Sequence, residues 1–327
     1  MSFPTPVAAV QMDAKLADIP ANIAQAGDLA EQALKAGAKM VALPEFFTTS
    51  IVFDERLYSC SLPPENPAVD MMTTLAHKYG ATIGGSYLEK HEEDVFNTYV
   101  LVEPDGTTHR HDKDQPTMVE NAFYAGGTDQ GLASTKAGNI GMAVCWETIR
   151  TRTAPRLAGK VDVLMTGSHW WSPPMNWKLG RRTWKRMNAY NAEFMKRTPG
   201  IFAAMIGAPN MHAAHCGDVT GQYQLSSKWI TAQAQLELMG ETQITDARGT
   251  ILARRTRQEG PGFIQAEITL GAQTPAPTPE GFWVEKMPLM FRIFWHHQNF
   301  VASRSYQEAK RKGLLSTYDF SRNAPLE

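Results

Sequence analysis

The chain has 327 residues, of which 43% are hydrophobic and 20% charged, and its formal net charge at pH 7 is -1. This composition is typical of a globular protein with a large core. A net charge so close to zero gives no overall field that would attract nucleic acid or an anionic membrane. We therefore expect a small-molecule partner, no nucleic acid and no membrane.

The start of the chain and its cysteines indicate the compartment. MSFPTPVAAVQM lacks the basic region and the apolar region of a signal peptide, which favours a cytoplasmic location. The three cysteines are far apart and form no C-x-x-C pair, so we expect three free thiols rather than a disulfide framework.

The first half of the chain alternates short apolar runs with amphipathic stretches. PVAAVQM predicts a buried strand, PANIAQAGDLAEQALKAGA predicts a helix, and KMVALPE predicts the next strand. A helix is predicted near residues 68–78, followed by strands in ATIGGSYLEK and FNTYVLVEPDG. Strands joined by helices indicate a layered α/β fold.

The second half continues this pattern and ends in a tail. A turn at TKAGN precedes a strand that ends at Cys145, and VDVLMTGS predicts another strand. Residues 176–196 predict an amphipathic helix, and GIFAAMIGAP predicts the strand after it. The prolines of GAQTPAPTPEG predict an extended connector, so we predict a main domain over residues 1–270 and a tail over residues 271–327.

The tail contains PLMFRIFWHHQNFVASRSYQEAKRKG, whose aromatic residues have near-helical spacing before a basic end and a glycine. This pattern predicts a helix with a C-terminal stop. So many aromatic side chains need a surface to cover, and the sequence leaves open whether that surface belongs to the same domain or to a neighbouring subunit.

Two candidate functional residues directly follow buried strands. Glu45 follows VALP, and Cys145 follows NIGMAV. Ligands of open α/β sheets bind at the carboxyl ends of strands, so both side chains could face a site. Taken alone, a carboxylate at such a place is more often solvated, and a cysteine in an apolar run more often packs as a small hydrophobe.

A third segment, HRHDKDQPTMVENAFYAGG, lies between these two residues and contains Lys113 and Glu120. A lysine and a glutamate in a loop are usually solvated. Combined with an acid and a cysteine at two strand ends, however, they are the groups that thiol-based acyl transfer requires.

These segments, LPE, KDQPTMVE and CWE in this order, resemble the nitrilase superfamily of carbon-nitrogen hydrolases. The resemblance extends from Val7 to about Glu267 and includes GGSYLE, NTYVLVEPDG and GETQITDARGTILARR. It implies a four-layer α-β-β-α sandwich and a carbon-nitrogen hydrolase catalytic domain over residues 1–270.

The resemblance also implies a role for each matched residue. Glu45 would be the general base, Cys145 the nucleophile, and Lys113 the cation that stabilises the tetrahedral intermediate. Glu120 would be a second carboxylate near Lys113 and the leaving amine. The backbone N–H of Trp146 would donate to the oxyanion, and no metal or organic cofactor would be required.

The substrate is less closely defined. CWE with KDQPTMVE favours the nitrilase branch, whereas TIRTRTAPRL departs from that branch's usual continuation, and MIGAPNMHAAHCGD followed by GETQITD resembles amidase-like members. We predict hydrolysis of a small amide through a Cys145 thioester, with a nitrilase, an N-carbamoyl hydrolase or an acyl transferase as alternatives. Residues after strand ends are candidates for binding the substrate: Phe46, Trp146, His169 and Trp170. The role of Glu147 stays open.

Three alternatives have less support. His212, His215 and Cys216 are close enough in sequence for zinc, but a fourth ligand is missing. KLGRRTWKRMNAYNAEFMKR is basic, but a buried face and a solvated face explain it more simply than RNA binding does. A catalytically silent scaffold is disfavoured because all four expected catalytic residues are present. The family and the tail helix predict a homodimer or a higher homo-oligomer.

Overall fold

The computed structural model describes residues 4–227 and 230–323. In this part of the chain the regular elements are β1 (Pro4–Met12), α1 (Ile19–Lys35), β2 (Met40–Ala42), α2 (Pro67–Tyr79), β3 (Thr82–His91), β4 (Asp94–Val102), β5 (Thr108–Asp112), β6 (Leu132–Thr135), β7 (Gly138–Val144), α3 (Ala154–Leu157), β8 (Val163–Ser168), α4 (Arg181–Ile206), β9 (Asn210–His215), β10 (Asp218–Ser227), β11 (Ile230–Glu237), β12 (Gly240–Thr245), β13 (Ile251–Thr256), β14 (Gly262–Thr269) and α5 (Leu289–Arg311).

Twelve of these strands form two six-stranded halves of one continuous sheet. The first half has the order β5-β4-β3-β2-β1-β14, and the second has the order β6-β7-β8-β9-β12-β13. β1, β2 and β3 are parallel, as are β7, β8 and β9, whereas the outer strands are antiparallel. A short parallel contact between the ends of β1 and β9 joins the halves, and β10 and β11 form a separate hairpin.

The two halves pack face to face, and helices cover their outer faces. Alternate side chains of both halves meet in one apolar cluster, because successive residues of a strand point to opposite faces. Members of this cluster include Val7, Ala9, Met40, Met142, Val163 and Met211. Residues of α1 and α2 form the core outside the first half, and residues of α3 and α4 form the core outside the second. The predicted four-layer α-β-β-α sandwich is confirmed.

Local signals fix the two helices outside the first half. α1 begins after Asp18, whose carboxylate accepts a hydrogen bond from the N–H of Ala21. α2 begins after Asn66, which caps the N–H of Ala68 at 2.9 Å, and ends at Gly80, whose φ of 58° favours glycine. The sequence predicted both helices, α1 from its apolar face and α2 near residues 68–78.

The prediction for residues 200–209 is wrong. GIFAAMIGAP is not a strand, because α4 continues through Pro199 to Ile206, and the next strand, β9, begins only at Asn210. A short apolar run is consistent with either a buried strand or a buried helix. Burial of Phe202 and Ile206 against the second half of the sheet favours the helix.

The tail helix is confirmed as α5, and it packs on its own chain. The hydroxyl of Tyr306 donates to Asp94 at 2.8 Å, and the side-chain oxygen of Asn299 accepts the N–H of Met118 at 2.7 Å. α5 also leaves large apolar side chains exposed, among them Leu289, Ile293 and Phe300. The predicted homo-oligomer stays a prediction. None of the helices within residues 4–227 and 230–323 is long and apolar enough to cross a membrane.

Candidate active site

The sheet brings together four residues that are far apart in sequence. Glu45 follows β2, Lys113 follows β5, and Cys145 follows β7, so all three lie at strand ends. Glu120 lies in a 3-10 turn, Met118–Ala122. The side chains of the two glutamates and the lysine are fully buried, and Cys145 is 1% exposed.

The four side chains are in direct contact or nearly so. The ammonium of Lys113 lies 2.8 Å from Glu45 Oε1 and 2.6 Å from Glu120 Oε2. The sulfur of Cys145 and one carboxylate oxygen of each glutamate all lie within 4.8 Å of one another. We refer to Glu45, Lys113, Glu120 and Cys145 as the quartet.

The backbone is strained at three places beside this quartet. Cys145 has a φ of 51°, Phe46 has a φ of 53° and Met118 has a φ of 52°. Such values are uncommon for residues other than glycine, and strained residues tend to occur at functional sites. At Cys145 the sharp turn from β7 into a 3-10 turn, Cys145–Ile149, places the thiol at the strand end.

The quartet perturbs the pKa values of the thiol and of its neighbouring acid. Burial, reinforced by the charge of Glu45, raises the pKa of Cys145 well above its usual value, despite the opposing effect of Lys113. Burial likewise raises the pKa of Glu45 to about 7, again against the effect of Lys113. At neutral pH the sulfur is therefore a thiol, next to a carboxyl that can exist in either protonation state.

Lys113 is the cation between the two carboxylates. Burial lowers its pKa, but the charges of Glu120 and Glu45 outweigh burial and hold the pKa well above its ordinary value. The ammonium therefore stays charged and occupies the position between the carboxylate oxygens. Among the described residues, the quartet contains the only cluster of three potential metal ligands. The positive charge of this lysine balances the negative charge of that cluster.

The sequence comparisons agree with this geometry. The family model described as carbon-nitrogen hydrolase matches residues 6–277, which is most of the chain. The chain belongs to the carbon-nitrogen hydrolase family. The resemblance to the nitrilase superfamily that the sequence indicated is thereby confirmed.

Relatives within the carbon-nitrogen hydrolases are distant. A nitrilase of Pyrococcus abyssi is 29% identical over 164 residues, which cover 48% of this chain and 62% of that protein. An N-carbamoylputrescine amidase of Solanum lycopersicum is 27% identical over 140 residues, which cover 40% of this chain and 47% of that protein. The chain therefore spans only about half to three-fifths of the length of these relatives.

A solved structure supports the fold. The crystal structure of XC1258 from Xanthomonas campestris, a CN-hydrolase superfamily protein, matches with a TM-score of 0.62 and 21% sequence identity. The match covers 82% of this chain and 91% of that one. At this identity the likeness establishes the shared carbon-nitrogen hydrolase fold.

In this member of the family, Glu147 connects the two segments that carry Cys145 and Lys113. One carboxylate oxygen accepts the N–H of Val144 at 2.8 Å, and the other accepts the N–H of Asp114 at 3.1 Å. These amides directly precede Cys145 and directly follow Lys113. Glu147 is therefore a positioning residue, a role that the sequence left open.

The charge of Glu147 is held by two basic side chains. Burial raises its pKa, but His111 at 2.9 Å and Arg156 at 2.8 Å outweigh burial and keep the pKa well below its usual value. The buried carboxylate is thus ionised, and it accepts hydrogen bonds with both oxygens.

We expect Glu147→Ala to lower kcat by roughly 10- to 100-fold with little change in KM, because misplacing a reacting group by about 1 Å is costly. Glu147→Gln, which keeps one acceptor oxygen, should recover part of the loss. Steady-state kinetics check both variants. A rise in KM with unchanged kcat would contradict the positioning role and indicate a role in substrate binding.

Three further residues support the quartet and were not identified from the sequence. Asn97 donates to Glu45 Oε1 at 2.9 Å, Tyr124 donates to Glu120 Oε2, and Arg150 pairs with Asp114 in the loop after Lys113. Asn97 is a polar residue within a buried strand, a signal that could have indicated it. The contacts of Tyr124 and Arg150 required the tertiary structure.

The residues predicted to bind substrate fall into two groups. Trp146, His169 and Trp170 line a cleft beside the quartet. Phe46 is not among the residues that line it. Its buried ring packs against Tyr124 and His169, with ring centroids 6.0 Å apart in both pairs.

The histidines that suggested zinc have other partners. The ring of His212 lies 2.7 Å from Thr166 Oγ1 and 3.0 Å from Ser168 Oγ, while His215 Nε2 donates to the carbonyl of Glu45 at 2.7 Å. Within the described residues, these histidines and Cys216 do not form a cluster of potential metal ligands. His215 instead fixes the backbone of the acid next to Cys145.

Proposed function

We propose that this protein is a thiol-dependent hydrolase that cleaves a small amide to a carboxylic acid and ammonia or an amine through a thioester on Cys145. The observation that supports this most strongly is the buried quartet, in which a thiol, an acid of raised pKa and a fixed cation lie in contact. These are the parts of nucleophilic acyl transfer: a nucleophile, a base and a charge that stabilises the oxyanion.

The first step forms the thioester. Cys145 Sγ attacks the carbonyl carbon while Glu45 takes the thiol proton, which the high pKa of the thiol makes necessary. The carbonyl oxygen becomes an anion, stabilised by the ammonium of Lys113 and by the N–H of Trp146, which is in the first turn of a 3-10 helix. The carbon-nitrogen bond then breaks, and Glu45 returns its proton to the leaving nitrogen.

The second step releases the acid. Water attacks the thioester carbon as Glu45 takes one proton from it. The carbon-sulfur bond then breaks, and the proton passes to the sulfur to restore the thiol. A base with a pKa of about 7 suits both directions of proton transfer at neutral pH.

Glu120 has one oxygen available for the substrate. Its Oε2 is occupied by Lys113, Tyr124 and the N–H of Thr117. Its Oε1 is buried and has no hydrogen-bond partner among the described residues. Because a carboxyl C=O oxygen accepts hydrogen bonds, this oxygen suits an amide N–H of the substrate, in the position where the leaving amine forms.

A nitrile is the second candidate substrate, favoured by the similarity to the Pyrococcus abyssi nitrilase. Attack on the nitrile carbon would give a thioimidate, and water would release ammonia and the acid. The same acyl-enzyme would also serve an N-carbamoyl hydrolase or an acyl transferase. A cytoplasmic location and assembly into homo-oligomers stay predictions.

Intact-protein mass spectrometry with a panel of amides and nitriles tests the proposal. We expect a mass increase equal to the acyl group, together with release of ammonia, and the rate of adduct formation should rise as the pH passes about 7 because Glu45 then loses its proton. If neither adduct nor ammonia appears with any member of the panel, the proposed function is wrong.

A further inference from the structure

Two residues of the cleft wall adjoin members of the quartet, although no quartet residue itself lines the cleft within the described residues. Trp146, which lines it, is the residue after Cys145. The backbone N–H of His169, another lining residue, donates to Glu45 Oε2 at 2.7 Å. A substrate whose carbonyl reaches Cys145 would therefore extend its acyl chain along these walls.

We propose that this cleft selects substrates whose acyl chain is uncharged and apolar. This inference rests on the proposed function, since it names the substrate class of the same site. Three features of the cleft support it: the side chains that form the walls, the hydrogen bonds that their polar groups already make, and the small volume between the walls.

Aromatic rings make up much of the cleft wall. They come from four separate segments of the chain, and several pack tilted against one another, such as Trp146 with Trp170 and Trp184 with Phe294. Mutual packing of this kind holds the rings in place and presents a preformed apolar surface. The rings concerned are those of Trp146, Trp170, Trp171, Trp184, Phe291 and Phe294.

No aspartate, glutamate, lysine or arginine lines the cleft within residues 4–227 and 230–323. His169 is the one wall residue there whose side chain could carry a charge near neutral pH. Burial, with a smaller effect of His215, holds the pKa of His169 well below its usual value. The ring is therefore neutral, and its Nε2 accepts the N–H of Ile51 at 3.3 Å.

The polar side chains of the wall are largely occupied by the protein itself. Asn191 Oδ1 accepts from Trp170 Nε1 at 2.6 Å, and Asn191 Nδ2 donates to the carbonyl of Trp171 at 2.8 Å. Ser172 Oγ donates to the carbonyl of Pro173 and accepts the N–H of Glu237. These groups already form hydrogen bonds within the protein, so they offer few free donors or acceptors to a charged group on the substrate.

Three wall atoms have no partner among the described residues, namely Nδ1 of His169, the hydroxyl of Tyr223 and Oε1 of Gln298. The ring of His169 is neutral, and burial raises the pKa of Tyr223, so its hydroxyl is neutral as well. All three atoms can serve a neutral polar group, but none supplies a counter-charge. A carboxylate or ammonium on the acyl chain would lose its hydration in the cleft without gaining an ion pair.

The cleft also limits the size of the acyl group. The cavity between the walls has a volume of about 60 Å³. A benzene ring occupies a cavity of about 150 Å³, so a short aliphatic chain is the scale of group that fits this space.

A matched set of amides tests the inference. Pentanamide, glutaramate and 5-aminopentanamide share a chain and differ in whether it ends in a methyl, a carboxylate or an ammonium. We expect kcat/KM for ammonia release to be at least about 100-fold higher for pentanamide than for either charged amide. Equal or higher values for a charged amide would overturn the inference, and a preference for the ammonium would indicate cation–π binding by the rings.

The outcome separates this inference from the proposed function. If charged amides react and leave an acyl adduct on the protein, the proposed function stands and the inference fails. If no amide or nitrile of the wider panel leaves an adduct, the proposed function fails, and the inference fails with it.

A charge placed in the cleft provides the converse test. Met187, on α4, lines the cleft, whereas Ala189 is exposed on the same helix. Met187→Lys should raise kcat/KM for glutaramate relative to pentanamide by about 10-fold or more, because the carboxylate then gains a partner. Ala189→Lys adds the same charge outside the cleft and should leave the ranking unchanged.

Folding of the variant is checked by circular dichroism and thermal melting. If Met187→Lys does not fold, Phe294→Lys, at a half-buried wall position, takes its place. A folded cleft variant whose ranking equals that of Ala189→Lys would contradict the assignment of this cleft to the acyl chain.

Discussion

Cys145→Ala is expected to lower kcat on the order of 10⁴-fold or more and to abolish the acyl adduct, because the thioester cannot form without the sulfur. The thiol is 1% exposed and ends a core strand, so the smaller side chain leaves a small cavity but removes no charge. The variant should therefore fold and still bind substrate. Ammonia release and intact mass, measured on the same sample, check the prediction.

The other two cysteines are matched controls. Cys60 and Cys216 are also buried, and burial raises their pKa values to about 12 and about 11. Within the described residues, neither belongs to the cluster that contains Glu45 and Glu120. Cys60→Ala and Cys216→Ala should retain the adduct. An adduct that persists in Cys145→Ala and disappears in a control variant would show that another thiol is the nucleophile.

Lys113→Met is expected to lower both the rate and the stability of the folded state. Loss of one oxyanion donor typically costs about 10²- to 10³-fold in kcat. Removing the cation that contacts both Glu45 and Glu120 also leaves buried charge unpaired, which typically lowers the free energy of unfolding by about 3–5 kcal/mol. Steady-state kinetics and urea unfolding at pH 7 measure the two effects.

The stability loss in Lys113→Met should depend on pH. The pKa of Glu45 is already raised to about 7 in the presence of Lys113, and loss of the cation raises it further. A carboxyl whose folded pKa exceeds its unfolded value favours folding at low pH, and this contribution is lost as the pH rises through the folded pKa. The loss in free energy of unfolding caused by Lys113→Met should therefore be smaller at pH 5 than at pH 7.

A second substitution separates stability from catalysis. In Lys113→Met/Glu120→Gln, one of the two buried carboxyl groups that lose their contact with the cation is replaced by a neutral amide, so much of the stability should return while the activity stays low. Recovery of activity together with stability would show that Lys113 acts through folding alone.

Much of the fold was predictable because its strands and helices carry local signals. The helix faces of α1 and α2 and the buried runs of β1, β7 and β8 follow from apolar spacing, caps and turns. The error at residues 200–209 has the same origin, since an apolar run bounded by Pro-Gly and Gly-Ala-Pro is read equally well as a strand. Packing against the second half of the sheet decides that case, and packing is not encoded in the spacing of one segment.

For the site, the sequence alone indicated the chemical groups and two of the strand ends that carry them, because Glu45 and Cys145 follow apolar runs that can be recognised in one dimension, whereas Lys113 was assigned only to a loop. Only the tertiary structure decided their environment. The contact of Glu45 with Lys113 joins residues 68 positions apart, and the bond of His169 to Glu45 joins residues 124 positions apart. Burial then sets the pKa of Glu45, and Glu147 joins the two segments beside Cys145 and Lys113. The uncharged cleft likewise forms only when segments from distant parts of the chain pack together. The absence of charged side chains from its wall can be recognised only when it is known which segments form that wall.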